Sequence, residues 1–260
     1  MLVTYLKKLL RPSYRFVINH RSKRKLLAKA QQQKAAFVQS LHELGLQQTW
    51  NCATDFLMLE DALHFTPFDR HYVYHPAWAY RMLVNQIRPS KHIDISSSLH
   101  FCTMVSATIP TDFYDYRPAA LQLSQLNCQR GDLMQLPFAT QSVESISCLH
   151  TVEHIGLGRY GDPIDAAGDI KAMQELQRVV AKGGSLLFVV PIGIQNNIHF
   201  NAHRVYTPEW VVQSFPELTL QEFYYIQSNP DLHPVVTAAS TLHLGNEQYG
   251  CGCFWFKRDA

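Results

Sequence analysis

Two periods take turns along this chain. Leu26, Leu27, Ala30, Phe37, Leu41 and Leu44 recur at helical spacing and Gly45 follows as a stop, so one helix is predicted over residues 22–46. Residues 47–76 hold no sustained period. They collect aromatic and histidine side chains instead, among them Phe65, Phe68, His71, Tyr72, Tyr74 and His75, which either roof a pocket or pack between layers. Residues 77–87 are again helical, ended by Arg88, Pro89 and Ser90.

From Lys91 onward short strands and helices alternate. Residues 92–96 predict a strand, 98–107 a helix, 112–116 a second strand closed by Arg117 and Pro118, 119–126 a short helix, and 127–133 a third strand. Residues 143–153 predict a fourth, with Ile146, Cys148, His150 and Val152 on one side. A helix over residues 163–181 stops at Gly183 and Gly184, and residues 185–191 are apolar throughout, as suits the buried middle of a parallel sheet. Thr207 and Pro208 open a helix over residues 207–215 as cap and first position. Residues 218–227 and 249–257 predict two closing, antiparallel strands. Seven strands with helices between the first six make an α/β protein with a Rossmann-like, doubly wound sheet.

Composition agrees with a folded chain: 260 residues, 47% of them hydrophobic, can bury a core. The six cysteines show no Cys-x-x-Cys pair and sit mostly in apolar runs, as reduced thiols of a cytoplasmic protein would. Charge divides the molecule further. Residues 1–42 carry ten Lys or Arg and no acid, leaving 13 basic against 21 acidic residues in the remainder. The organisation predicted is a basic helical arm over residues 1–46, an aromatic-rich connecting or lid region and helix over 47–90, and the α/β domain over 91–260. Leu2, Leu6, Leu9 and Leu10 make the start of the arm amphipathic, with Lys7 and Lys8 interrupting a stretch too short to span a bilayer and unlike a cleavable signal. Residues 1–34 can lie on an anionic membrane surface, at the inner face, or on nucleic acid; the alternative is a solvated arm.

The most informative stretch reads Gly131-Asp132-Leu133-Met134-Gln135-Leu136-Pro137-Phe138, then an apolar strand ending in Glu153-His154-Ile155, then Gly156-Leu157-Gly158-Arg159-Tyr160-Gly161-Asp162. The order "GD, LPF, strand ending in EHI" resembles the middle of the class I S-adenosylmethionine-dependent methyltransferases, and EHIGLGRYGDPID, residues 153–165, is similar to a domain family of unknown function within that superfamily. The resemblance implies S-adenosylmethionine as cofactor. It places Asp94 as the acid of the first strand, Asp115 as the ribose-binding acid, and Gly131, Asp132 and Leu133 at the adenine, with His150 beside the cofactor. One departure stands out. The glycine-rich turn of the superfamily is here Ser96, Ser97, Ser98, Leu99 and His100, without a glycine; serines there either donate to the cofactor's carboxylate or mark a loop that no longer holds it.

Candidate chemistry gathers after the fourth strand, at the sheet edge where open α/β sheets bind ligands. His154 is the candidate base and Glu153 its orienting partner or an independent base; alternatively Glu153 holds a loop and His154 closes the cleft. Arg159, Tyr160 and Asp162 form a candidate acceptor clamp, with Arg159 suited to an anionic group, and His203 and Arg204 join them from the loop after the fifth strand. His150-Thr151-Val152-Glu153-His154 also fits an inverted zincin pattern, and His199 and His203 are again four apart. That chemistry requires a helix, which the β-branched residues and Gly156 oppose, and Cys251 with Cys253 alone makes no metal site, so no metal is assigned. The reading is a methyltransferase for a small-molecule or glycan-like acceptor. The alternatives are an inactive methyltransferase-like binding or scaffold protein, then a nucleic-acid methyltransferase, then a zinc hydrolase.

Overall fold

The computed structural model describes residues 20–50, 52, 55, 57–59, 61–228, 235–237 and 248–260. The first residues of the basic arm, with Leu2, Leu6, Leu9 and Leu10, lie outside the described residues. The chain divides into two compact units, Met1–Asp69 and Arg70–Ala260. In the first, helix α1 spans His20–Glu43. It ends where Gly45 takes φ +68°, with Gly45 N–H donating to His42 O (3.1 Å) and Leu46 N–H to Leu41 O (2.8 Å). This is the paired bonding of a Schellman stop, which satisfies two carbonyls the helix cannot. Among the described residues no helix is long and apolar enough to cross a membrane.

The second unit opens with α2, Arg70–Met82, which widens into a π-turn over Leu83–Ile87. The expected start at Ala77 is too late. Pro76 lies inside the helix, and a proline that removes one interior hydrogen bond is tolerated here because His75, Pro76, Trp78, Ala79 and Met82 are buried. The compact unit therefore begins at Arg70, and part of the region read as a connector belongs with the sheet.

The sheet elements are β1 (His92–Asp94), α3 (Leu99–Val105), β2 (Thr111–Asp115), β3 (Leu126–Arg130), β4 (Val143–Leu149), α4 (Gly168–Val179), β5 (Val180–Ile192), β6 (Asn197–His199), β7 (His203–Val205), α5 (Pro208–Gln213), β8 (Thr219–Ile226), β9 (Val235–Thr237) and β10 (Gly250–Lys257). The order is β3-β2-β1-β4-β5-β10-β8-β9. The first five strands are parallel; β10 enters antiparallel between β5 and β8. The seven expected strands are all in this sheet, and β9 adds a short edge. Alternation along the central strands feeds two cores. Phe188, Val190, Phe254 and Phe256 face α4 and α5, packing with Met173, Leu176 and Phe215, whereas Leu187, Val189, Cys251 and Cys253 face α2 and α3 with Trp78, Met82 and Phe101. Burial on both sides explains why β5 reads as one apolar run.

Three local expectations are corrected. Residues 119–126 form no helix: Gln125 takes φ +60° and Leu123 bridges Leu126, so the segment is a turn into β3. Helix α4 starts at Gly168, because the Asp165 carboxylate accepts Ala167 N–H (2.9 Å) in a turn of its own. Residues 197–205 form the ribbon β6–β7 where only a loop was read. At α5 the predicted cap is present, Thr207 Oγ1 accepting Trp210 N–H at 3.3 Å. Thr207→Ala should cost about 1 kcal/mol of stability in urea unfolding; an unchanged midpoint would show that the cap contributes nothing.

Candidate functional site

At the carboxyl edge of β1 a buried polar chain links two strands. Ser147 Oγ donates to Asp94 Oδ1 (2.5 Å) and so accepts from His92 Nε2 (2.9 Å), leaving Ser145 Oγ to donate to His92 Nδ1 (2.8 Å). The Ser96 hydroxyl also donates to Asp94 Oδ1. Asp94 Oδ2 is buried with no partner. Burial, opposed by the two serine hydroxyls, pushes the Asp94 carboxyl up to about 7, while burial pulls His92 down to about 3. His75 is lowered well below its usual value, first by burial and then by His150 and His71.

These shifts fix an acid response. His75 and His92 stay neutral in the fold while in the unfolded chain they protonate near the ordinary histidine value of 6.5. Their contribution is therefore present above that pH and lost as pH falls toward the folded value. Asp94 acts in the opposite sense, holding a proton in the fold from about 7 down to its unfolded value of 3.8, so it adds stability as pH falls through that window. His71, pulled to about 3, and His203, pulled to about 4, both chiefly by burial, act on the same side as the two histidines. Four imidazoles against one carboxyl should leave a net loss of more than about 1.4 kcal/mol per pH unit between about pH 6 and pH 4. Asp94→Asn should steepen the fall in urea midpoint by removing the counterweight; a flat profile in both proteins would contradict this.

The loop after β1 is stitched to β4. Ile95 N–H donates to Ser147 O (2.8 Å), Ser97 N–H to Leu149 O (3.0 Å), and Thr151 Oγ1 to Ile95 O (2.9 Å). None of Ser96, Ser97 and Ser98 lies among the positive-φ residues, and Ser98 sits at φ −105° at the start of α3. The turn thus has a conformation that serine adopts without strain. Ser97 Oγ pairs with Tyr72 OH at 3.3 Å. Ser98 and Tyr72 also border an open groove of about 760 Å³ between α2 and α3.

The remaining acids stand at the same edge. Asp115, half-buried at the end of β2, accepts Arg117 N–H on Oδ1 (2.6 Å), and its carbonyl accepts Gly131 N–H (3.0 Å). Asp132, exposed, accepts Met134 N–H on Oδ1 (2.9 Å), and Leu133 is buried. A Cβ on Gly131 would meet the Tyr114 ring at 3.0 Å, so the glycine answers to Tyr114.

Beyond β4 the strand ends earlier than expected, at Leu149. His150 takes φ +54° and Val152–His154 is a 3-10 turn. His150 Nδ1 donates to Glu153 Oε1 (2.8 Å), and His150 Nε2 lies 3.4 Å from Cys251 Sγ. His71 stacks on His150 with centroids 5.8 Å apart, and His75 meets it edge-on at 4.9 Å, both His75 nitrogens buried without partners. Burial alone would discharge His150; the Cys251 sulfur and the Glu153 carboxylate outweigh it and hold the imidazole up at about 10. Burial also opposes the Glu153 charge, but His154 and His150 prevail and its pKa is lowered. His154 Nδ1 donates to Ala202 O (2.6 Å), which leaves Nε2, 3.8 Å from Glu153 Oε1, as its basic nitrogen. His150 Nδ1 and His154 Nε2 therefore both face Glu153 Oε1, while His150 Nε2 is turned to Cys251.

The loop from Gly156 to Asp165 is organised from within. Asp162 accepts Gly156 N–H (3.0 Å), Gly158 N–H (3.3 Å) and Tyr160 N–H (3.1 Å), so its carboxylate holds the loop's shape. Gly156 is required there: it has φ +77°, and a Cβ would stand 2.1 Å from Asp165 O. Tyr160 takes two guanidinium groups against its ring, Arg117 at 4.8 Å and Arg159 at 5.1 Å, which straps this loop to the end of β2. Arg159 also donates to Ala202 O at 3.1 Å. Arg204 is buried, 3.4 Å from Asp169 and donating to Ile155 O (2.7 Å), so it braces the loop from below. His203, pulled to about 4 chiefly by burial, meets the His154 ring edge-on and the His199 ring at a tilt.

The fold thus brings Glu153, His154, His150, Arg159, Tyr160 and His203 together, places Asp94 and the serines beside them, and sets Asp115, Gly131, Asp132 and Leu133 along the same edge. His71, His75 and Cys251 were missed as members. The His-x3-His spacing of residues 71 and 75 was legible, but Pro76 hid the helix that puts both on one face. Cys251 had no local sign at all, since its partner lies 101 residues away.

Residues 133–218, about a third of the chain, match a family described as a Caenorhabditis protein of unknown function, DUF268. No curated protein matches the sequence. Among solved structures, the chain is similar to N-methyltransferase NodS from Bradyrhizobium japonicum in complex with S-adenosyl-L-homocysteine, at 16% identity and TM-score 0.46 over 66% of this chain and 79% of that one. It is similar to geranyl diphosphate methyltransferase in complex with SAM at 11% identity and TM-score 0.49, covering 70% and 84%. It is also similar to the [4+2]-cyclase SpnF at 10% identity and TM-score 0.45, covering 66% and 75%. The strand order itself carries the fold assignment: this is an α/β protein built on a Rossmann-like, doubly wound sheet of the class I methyltransferase type.

Proposed function

We propose that the protein is an S-adenosylmethionine-dependent methyltransferase acting on a small-molecule or glycan-like acceptor. The observation that supports this most directly is the row of acids along one sheet edge: buried Asp94 with an unpartnered oxygen, then Asp115 and Asp132, each using one oxygen on its own turn. Such a row fits a nucleoside-bearing ligand, with Asp115 for the ribose hydroxyls and Gly131, Asp132 and Leu133 for the base. S-adenosylmethionine, when bound, supplies an electrophilic methyl group, which leaves the chain to orient the acceptor and remove its proton. His154 suits that role through Nε2, with Ala202 O behind it at Nδ1 setting the tautomer and the Glu153 carboxylate 3.8 Å from Nε2 to support the charge it gains. Tyr160, between two guanidinium groups, and Arg159 suit an acceptor with anionic character. Calorimetric titration with S-adenosylmethionine and with S-adenosylhomocysteine tests the reading directly. One binding site per chain is expected; no heat from either ligand would remove it.

One observation favours a second reading, a binding or scaffold protein on the same fold. The first loop bonds its own backbone to β4 through Ser97 and Thr151, so those groups already have partners. Label transfer from methyl-labelled S-adenosylmethionine into a cell extract, lost in His154→Ala, would exclude the scaffold.

A further inference from the structure

We propose that His71, His150 and Cys251 form a binding site for a divalent transition-metal ion of the zinc class, with Glu153 holding His150 from behind. This goes beyond methyl transfer and stands or falls without it. One ligand atom from each residue lies within 4.8 Å of the other two. Three separate elements deliver them: the first turn of α2, the left-handed residue after β4, and the antiparallel strand β10. The His150 Nε2 to Cys251 Sγ separation is 3.4 Å, close to the roughly 3.5 Å that a nitrogen and a sulfur ligand of one tetrahedral zinc ion have from the usual bond lengths.

The surroundings fit an ion better than a bare thiol–imidazole hydrogen bond. Glu153 Oε1 accepts a hydrogen bond from His150 Nδ1–H at 2.8 Å, the carboxylate–histidine arrangement that orients metal-bound imidazoles and directs the Nε2 lone pair at the ion. An ion there occupies the position of a second imidazole proton. As the ion binds, the His150 imidazolium gives up its Nε2 proton and the Cys251 thiol its own, both to solvent. A dication then meets one thiolate and one carboxylate, so the enclosed group carries no net charge, which is the condition for burying charges cheaply. Two imidazoles and a thiolate are the donor set that selects zinc or copper over magnesium or calcium. Three protein ligands leave a fourth position, and His75, one helical turn from His71 with both nitrogens buried and unpartnered, is the adjoining imidazole. A nucleophilic cysteine fits less well, since Cys251 is wholly buried.

The test is titration of the chelator-stripped full chain with Co²⁺ in thiol-free buffer, followed by competition with Zn²⁺. The expected result is one ion per chain with thiolate-to-cobalt charge-transfer absorption, displaced by zinc. That absorption should vanish in Cys251→Ser and persist in Cys253→Ser. His71→Ala, with the thiolate intact, should bind cobalt at least about tenfold more weakly, and Glu153→Gln about 10–100-fold more weakly. Should Cys251→Ser fail to fold by circular dichroism, the His71 and Glu153 variants decide, and unchanged affinity in both overturns the proposal. So does wild-type protein without charge-transfer absorption, or absorption retained in folded Cys251→Ser. Because the readout is metal binding, a chain that ignores S-adenosylmethionine but binds cobalt this way sinks the methyltransferase reading and leaves the site.

Discussion

Glu153→Ala should destabilise the protein by about 3–5 kcal/mol, the loss typical of removing one partner of a buried charge pair. Glu153 is 1% exposed, and its Oε1 receives the Nδ1–H of equally enclosed His150 at 2.8 Å. Truncation would leave an imidazole whose charge this carboxylate helps to support in a space with no water to replace it. Glu153→Gln should cost less, because an amide oxygen can still accept the same proton while only the charge is lost. Urea unfolding of the three proteins, with chelator present so that metal linkage does not enter, measures the difference. If the alanine variant lies within about 1 kcal/mol of wild type, the pair does not hold the turn after β4. The second of the two alternatives for this residue, a loop support, and the first, an orienting partner for His154, then separate. The glutamine variant should retain the fold while any methyl transfer falls.

Loss of Asp115 should be felt in binding instead. Its carboxylate is half-buried and makes one local bond, to Arg117 N–H at 2.6 Å, so Asp115→Ala should leave the fold nearly as stable as before. If both ribose hydroxyls of S-adenosylmethionine bond to it, the two charge-assisted hydrogen bonds are worth at least about 3 kcal/mol, or about a hundredfold in dissociation constant. Asp112→Ala serves as the control, because Asp112 pairs with Lys91 at 2.7 Å at the other end of the strand. Calorimetry showing equal affinity in wild type and Asp115→Ala would remove Asp115 from the ribose. Equal loss in the Asp112 variant would point to a general loosening of β2.

Much of the fold was legible because the central strands are buried on both faces and the helices on one, which leaves period and polarity in the residue order. The run of residues 185–191, the Thr207-Pro208 cap and the Gly45 stop each carry their structure locally. The failures have equally local causes. Pro76 reads as a boundary, yet its burial within α2 outweighs the one hydrogen bond it removes. Residues 119–126 have helical composition but are too short to nucleate without a packed face. Residues 197–205 pair only with each other, so no period announces them.

The site divides along the same line. By itself the residue order determined which acids end the strands, that Ser96 to Ser98 replace a glycine turn, and that Glu153, His154 and Arg159 leave the sheet together, since all of these follow from position along one strand or loop. Only the tertiary structure decided that the serine turn is unstrained, that Asp162 and Arg204 are committed to bracing their loop, and that His150 shares Glu153 with His154 while its other nitrogen meets Cys251 beside His71. Those outcomes depend on atoms brought close by strand order and helix docking from distant parts of the chain, and no spacing along a sequence encodes a distance across a sheet.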